Sequence, residues 1–209
     1  MQRQRGASLL RMVVLLLIVL AVFAWWRSDA PVAHPPGVLV PEAPVQRALD
    51  RGASSWQREA YTITPLFDFT LRARVLSRAD YRFDDGADLV PTDLTLGWGR
   101  MSDSAVLDQL EISQSGRWWH YATPAYPIPQ QEIQESAANM HLIPANDRVA
   151  EALAATRVGD IVRVRGMLVE ATRPEPPGWR WASSVSRTDT GGGSCELIWV
   201  ESLDIQTTR

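Results

Sequence analysis

The chain of 209 residues carries one cysteine, Cys195, and three histidines, His34, His120 and His141. A thiol near an imidazole is the smallest set of groups that supports nucleophilic catalysis. The imidazolium lowers the thiol pKa, and the thiolate is the reactive form. Cys195 closes a phrase, residues 183–196, that holds Arg187, Asp189 and the run Gly191-Gly192-Gly193. Consecutive glycines allow close backbone approach, so their amides would stabilise an oxyanion or form an anion nest. The run is no phosphate-binding loop, because the Gly-Lys-Ser/Thr ending is missing and the chain has no lysine. His141 stands in the phrase Asn139-Met140-His141-Leu142-Ile143-Pro144-Ala145-Asn146. Cys195 and His141 are therefore the pair that would carry thiol-dependent acyl transfer or hydrolysis. The plainer alternative makes Cys195 a small core hydrophobe, His141 a hydrogen-bonded core residue, and the glycines a flexible hairpin.

A third phrase is Gly116-Arg117-Trp118-Trp119-His120-Tyr121. On a strand, Trp118 and His120 face one way while Arg117, Trp119 and Tyr121 face the other. It reads either as an aromatic ledge for stacking a sugar or a peptide, or as a core strand with one indole inside. Trp118, Trp119, His120, Arg187 and Asp189 are the candidate ligand-binding residues. No metal and no cofactor is expected. His120 and His141 lack a ligand spacing, and one cysteine excludes both a Cys-rich zinc module and an internal disulfide framework.

These residues need a scaffold, and the N-terminal end sets where it sits. Residues 1–26 contain Arg3, Arg5 and Arg11 and no acid, while the remainder has 18 Arg against 24 acids, a balance of −6. Residues 12–26 are uncharged, and from Ala7 the apolar stretch reaches about 20 residues, the length of a membrane span. Arg11 can snorkel to the headgroups, and Trp25-Trp26 would anchor the far interface. The expectation is a cytoplasmic start at 1–6, a transmembrane signal anchor at 7–26 and export of the rest to the periplasm of a bacterial envelope. A cleaved signal is the competing reading. Its best cleavage site, Ser28-Asp29-Ala30, would leave Pro31 after the scissile bond. Residues 27–53, with Pro31, Pro35, Pro36, Pro41 and Pro44, read as a Pro-rich periplasmic tether in which His34 is solvated. Residues 46–57 carry a weak helical pattern, interrupted by Gly52.

From 54 to 209 the pattern is mainly β, an α+β domain. Phe67, Phe69, Leu71, Ala73 and Val75 alternate with polar residues, the signature of a half-buried strand. Asp85-Gly86 marks a turn, and Leu94, Leu96 and Trp98 resume the alternation. Residues 102–110 shift to helical spacing with Ser102 or Asp103 as caps. Asn146 or Asp147 caps a second helix in which Val149, Ala150, Leu153 and Ala154 share a face. Residues 161–169 form another strand in which Gly166 marks a bulge or bend. Trp179 and Trp181 flank Arg180 in a further strand, and 197–200 close the set. Repeated βαβ alternation is absent, so a doubly wound nucleotide fold is excluded. Six or seven strands with two or three short helices fit a small, partly open OB-like β-barrel. The phrase Gly159-Asp160-Ile161-Val162-Arg163-Val164-Arg165-Gly166 resembles the OB strand that coils through a central glycine.

The order of anchor, His141, Gly-Asp strand and Cys195 on a small β-barrel resembles that of the sortase transpeptidases. The likeness covers about residues 139–200. It departs from that family in Gly192-Gly193-Ser194-Cys195, in Glu196 after the thiol, and in having no arginine between Cys195 and Arg209. Four phrases, at residues 96–103, 112–117, 139–146 and 187–191, together resemble a family of single-pass bacterial envelope proteins with a Trp-rich β domain. That resemblance implies an exported, anchored domain and hands over no activity.

Composition completes the expectation. Nine Trp outnumber Tyr and Phe combined, and a net charge of −3 argues against nucleic acid as a partner. The reading is a membrane-anchored periplasmic binding or assembly module, non-enzymatic, working with another envelope protein or with cell-wall material. Its rival is a Cys-His enzyme acting on an envelope peptide.

Overall fold

A computed structural model describes residues 14–16, 30–49, 53–186 and 194–206. The chain divides into two compact units, Met1–Pro31 and Val32–Arg209. Of the expected anchor at 7–26, only residues 14–16 are described, and they are helical and exposed. Among the described residues no helix is long and apolar enough to cross a membrane.

The second unit is mainly β, with a large mixed sheet. Its strands are β1 (Val45–Ala48), β2 (Trp56–Arg58), β3 (Tyr61–Asp80), β4 (Thr92–Gly97), β5 (Glu111–Ser115), β6 (Trp118–Ala122), β7 (Ala137–Pro144), β8 (Ile161–Thr172), β9 (Arg180–Ala182) and β10 (Glu196–Gln206). Within this unit three α-helices are described, α1 (Ser104–Leu107), α2 (Gln130–Glu135) and α3 (Asp147–Ala154), with a 3-10 turn at Gly99–Ser102 just before α1. The strands run in the order β1-β3-β4-β7-β10-β8-β9, β2 lies beside β3, and β3 also pairs with β8. Every pairing is antiparallel except β7 with β10. The β5–β6 hairpin forms a separate two-stranded sheet.

The alternation that marked β3 extends well beyond residues 67–75. Phe69, Leu71, Ala73 and Val75 enter the main core with Leu94, Leu96, Met140, Leu142, Val162, Val164, Leu168, Ile198 and Val200. Tyr61 and Ile63, earlier on the same strand, join a second cluster with Val169, Ala171, Ile143 and Leu197. A register shift between Pro65 and Phe67 separates the two stretches. Gly166 answers the expected bend: a Cβ there would lie 1.9 Å from the Trp199 carbonyl oxygen, so only glycine lets β8 and β10 approach this closely. The pairing of these strands shifts register just beyond it, between Val200 and Ser202.

Three expectations are corrected. The Pro-rich segment is no tether from Val32 onward, and His34 is not a solvated linker residue. Val32 N donates to Val158 O, His34 Nε2 lies 2.8 Å from Gly159 O, and the Leu39 and Val40 amides donate to Ser102 Oγ. Val40 is fully buried. Proline forbids regular structure, but it leaves the neighbouring amides available for docking. Residues 46–57 also hold no described helix. Residues 45–48 and 56–58 are short strands on β3, because an exposed edge position suits them better than a helix broken at Gly52.

The two expected helices are present but short. Asp103 caps α1 by accepting from Ala105 N, and Asn146 caps α3 by accepting from Val149 N at 3.1 Å. Helix α3 buries Val149 and Leu153, whereas Ala154 is exposed.

Candidate functional site

Strand β4 is buried at every residue, as are Asn139, Met140, His141, Leu142 and Ile143 of β7. On one face of this pair lie Leu94, Leu96, Met140 and Leu142, all in the main core. On the other face Asp93 stands opposite His141, and Thr95 opposite Asn139. Burying such groups is unfavourable unless each finds a partner, and the tip of the β5–β6 hairpin supplies most of them. Gly116 and Arg117 form the turn with φ of +56° and +70°. An arginine in that region is strained by about 1 kcal/mol, and its contacts hold it there. Arg117 Nη1 donates to Asp93 Oδ1 at 2.9 Å and to Val90 O at 3.0 Å. Its Nε and Nη2 grip both oxygens of Asp84. The guanidinium lies 3.7 Å from the Tyr81 ring centroid and 5.3 Å from that of Trp181. Burial, and then the Asp93 charge, push the Tyr81 hydroxyl above its ordinary pKa.

Asp93 is fully buried and holds a second set of partners. Asn139 Nδ2 donates to its Oδ2 at 3.3 Å and to Arg117 O at 2.9 Å. His141 Nδ1 lies 3.0 Å from the same Oδ2, but off the line a hydrogen bond needs. The His141 ring, 4% exposed, tilts against Trp181 with centroids 4.7 Å apart. A second arginine, Arg173, borders this region. It donates to Tyr61 Oη and Asp85, and it lies 4.6 Å from the Trp179 ring centroid. Burial and the bond to Asp88 push the Tyr61 hydroxyl up to about 12.

Two clefts open beside this network. One, of about 340 Å³, is lined by Arg117, Trp118, His141, Trp179, Trp181 and Cys195 among others. The other, of about 310 Å³, is lined by Trp118, Trp119, His120, Tyr121, Asn139 and Cys195 among others. Cys195 and Trp118 therefore border both. The parallel register sets Leu197 opposite His141, so Cys195 precedes by two residues the partner of His141.

The structure thus brings together much of what the sequence singled out. Cys195, His141 and Trp118 share the first cleft, and Cys195, Trp118, Trp119 and His120 share the second. Cys195 is half-buried, and the described polar and ring contacts of His141 are with Asp93 and Trp181. His120 is exposed with Nε2 3.2 Å from Ser115 Oγ, and it lines a different cleft from His141. Trp118 and His120 face outward as the alternation required, while Trp119 stacks on Tyr121 at 5.2 Å. Arg117 is a turn residue rather than part of a strand face. Arg187 and Asp189 lie outside the described residues.

Sequence reasoning missed Asp93, Tyr81 and the long-range contacts of Arg117 with Asp84, Val90 and Asp93. Asp93 falls on the opposite side of the alternation from Leu94 and Leu96, the side that faces solvent in a half-buried strand. The only local signal was an acid placed one residue before a fully apolar face. Compared with family models, curated proteins and solved structures, the chain matches none.

Proposed function

We propose that this chain is a membrane-anchored periplasmic binding module, and that its second unit is a partly open OB-type barrel whose ligand lies in the cleft beneath Trp118 and Trp181. The pairing cycle β3–β4–β7–β10–β8–β3, with β7 parallel to β10 and α3 between β7 and β8, supports the barrel reading. In such barrels the second and third strands, with the loops after the first and fourth, carry the ligand. Here those strands are β4 and β7. The loops bring Asp85 on one side and Trp179 and Trp181 on the other, and all three line the cleft. Anchoring and export rest on the uncharged run at 12–26 and the arginines before it.

The carrying observation is the aromatic wall over a buried polar floor. Trp118 is 39% exposed, Trp181 is held by His141 and Arg117, and about 340 Å³ is within the range of small-ligand pockets. Indole faces with arginine donors beside them suit a sugar ring bearing carboxylated peptide, so cell-wall material is the ligand. The test is co-sedimentation of the full-length protein, in detergent, with purified sacculi. The wild type is expected in the pellet, and Trp118→Ala is expected to lose most of its binding at an unchanged unfolding midpoint. Equal pelleting of the two would remove the cleft from the reading.

A second reading has an observation of its own. His141 and Cys195 border one cleft, and a carboxylate stands behind the imidazole, which is the order of groups in a thiol-dependent acyl-transfer enzyme or hydrolase. A thiol that stays unreactive until the protein unfolds would dismiss it.

A further inference from the structure

We propose that Asp93 is the positioning residue of a Cys195–His141–Asp93 series that cleaves an amide of an envelope peptide; this rests on the thiol reading. Each member stands on a separate segment, and the fold alone brings them together. Asp93 on β4 is fully buried and directly opposite His141 on β7. Its Oδ1 is fixed by Arg117 Nη1 at 2.9 Å, which leaves Oδ2 facing His141 Nδ1 at 3.0 Å. Trp181, with its ring centroid 4.7 Å away, sets the plane of the imidazole. His141 is 96% buried, and its Nδ1 lacks an aligned hydrogen bond. Catalytic hydrogen bonds without substrate are often poorly aligned and tighten on binding.

With Nδ1 turned to the carboxylate, Nε2 is the nitrogen left for the cleft that His141 and Cys195 both line. The residue opposite His141 is Leu197, and Cys195 stands in the bend just before β10, two residues ahead of it, with both His141 and Cys195 lining the cleft. The carboxylate then does what an orienting acid does: it holds the Nδ1–H tautomer and stabilises the imidazolium as it forms.

The reaction balances without any further reagent but water. The Cys195 proton moves to His141 Nε2, and the sulfur attacks the amide carbon. The C–S bond forms as the C–N bond breaks, and the Nε2 proton leaves with the amine. Water, losing a proton to Nε2, attacks the thioester carbon, the C–S bond breaks, and the thiol is restored. Trp118 and Trp181 flank this cleft, so a peptide with an apolar or aromatic side chain beside the scissile bond is the substrate class.

The experiment is alkylation of Cys195 by iodoacetamide in the full-length protein, followed against pH, for wild type, His141→Ala and Asp93→Asn. In the wild type the apparent thiol pKa is expected below the free value of about 8.5. His141→Ala should abolish that depression, and Asp93→Asn should slow the reaction at pH 7 by about tenfold or more. An unchanged profile in His141→Ala would overturn the thiol reading itself. A changed profile in His141→Ala with none in folded Asp93→Asn would overturn only the role of Asp93. Should Asp93→Asn fail to fold, the 15N spectrum of His141 in the wild type decides: the Nδ1–H tautomer is expected, and the Nε2–H tautomer would overturn the proposal.

Discussion

The two faces of the β4–β7 pair are equally dry and chemically opposite. Toward the main core stand Leu94, Leu96, Met140 and Leu142. Toward the hairpin stand Asp93, Thr95, Asn139 and His141, none more than 4% exposed. The apolar face needs no explanation beyond removal of its surface from water, worth about 25 cal/mol per Å². The polar face is a different case, because a buried ion pair seldom stabilises more than well-packed apolar residues would. Arg117 is held in a strained turn, Asp93 receives three neighbours, and the clefts with Cys195 and Trp118 open beside them. The contrast separates a face that holds the fold from one that lies beside the two clefts and carries the proposed site.

The sharpest way to break that contrast is to remove one member of the polar face. Arg117→Ala leaves Asp93 buried without its cation, and loss of one partner from a buried pair is worth about 3–5 kcal/mol. Urea unfolding should show it, and a loss under about 1 kcal/mol would mean that the hairpin tip only rests on the sheet. On the apolar face, Leu94→Ala is expected to cost about 2–5 kcal/mol through lost burial and a residual cavity. It should leave Cys195 alkylation at native pH unchanged, whereas Arg117→Ala should alter it.

A smaller effect concerns alkaline pH. Tyr61, buried and donating to Asp88, has its hydroxyl pushed from 10 up to about 12. The unfolded chain ionises first, so this contribution is complete below pH 10 and is lost as the pH climbs from 10 toward 12. The melting temperature should fall over that window, and Tyr61→Phe should flatten the fall. Smallest is the cap of α3, whose Val149 and Leu153 pack into the main core and which is no part of the polar face. Asn146→Ala removes the acceptor of the Val149 amide and should cost about 1 kcal/mol with no change in thiol reactivity.

Much of the framework was legible because strands and caps are written locally. The alternation through Phe69, Leu71 and Ala73 fixed one side of β3, Gly166 announced the close approach of β8 and β10, and Asn146 announced α3. The site was legible only as types. Cys195, His141 and Trp118 were named from their chemistry, and pairing of distant strands put them on common clefts. Asp93 could not be found that way. An acid beside Leu94 reads as solvent-facing until the hairpin, about 24 residues further along, folds over it. The Pro-rich run misled for the converse reason. Its composition forbids helix and sheet, but partners such as Ser102 and Gly159 are invisible from local sequence.

The most direct test of the central claim is 19F NMR of the full-length protein labelled with 5-fluorotryptophan, titrated with soluble muropeptides. Resonances of Trp118 and Trp181 are expected to move together to saturation. Those of Trp56 and Trp199, which pack edge to face at 5.1 Å and do not line the cleft, should stay in place. Stationary Trp118 and Trp181 resonances at saturating muropeptide would contradict the assignment of this cleft as the ligand site.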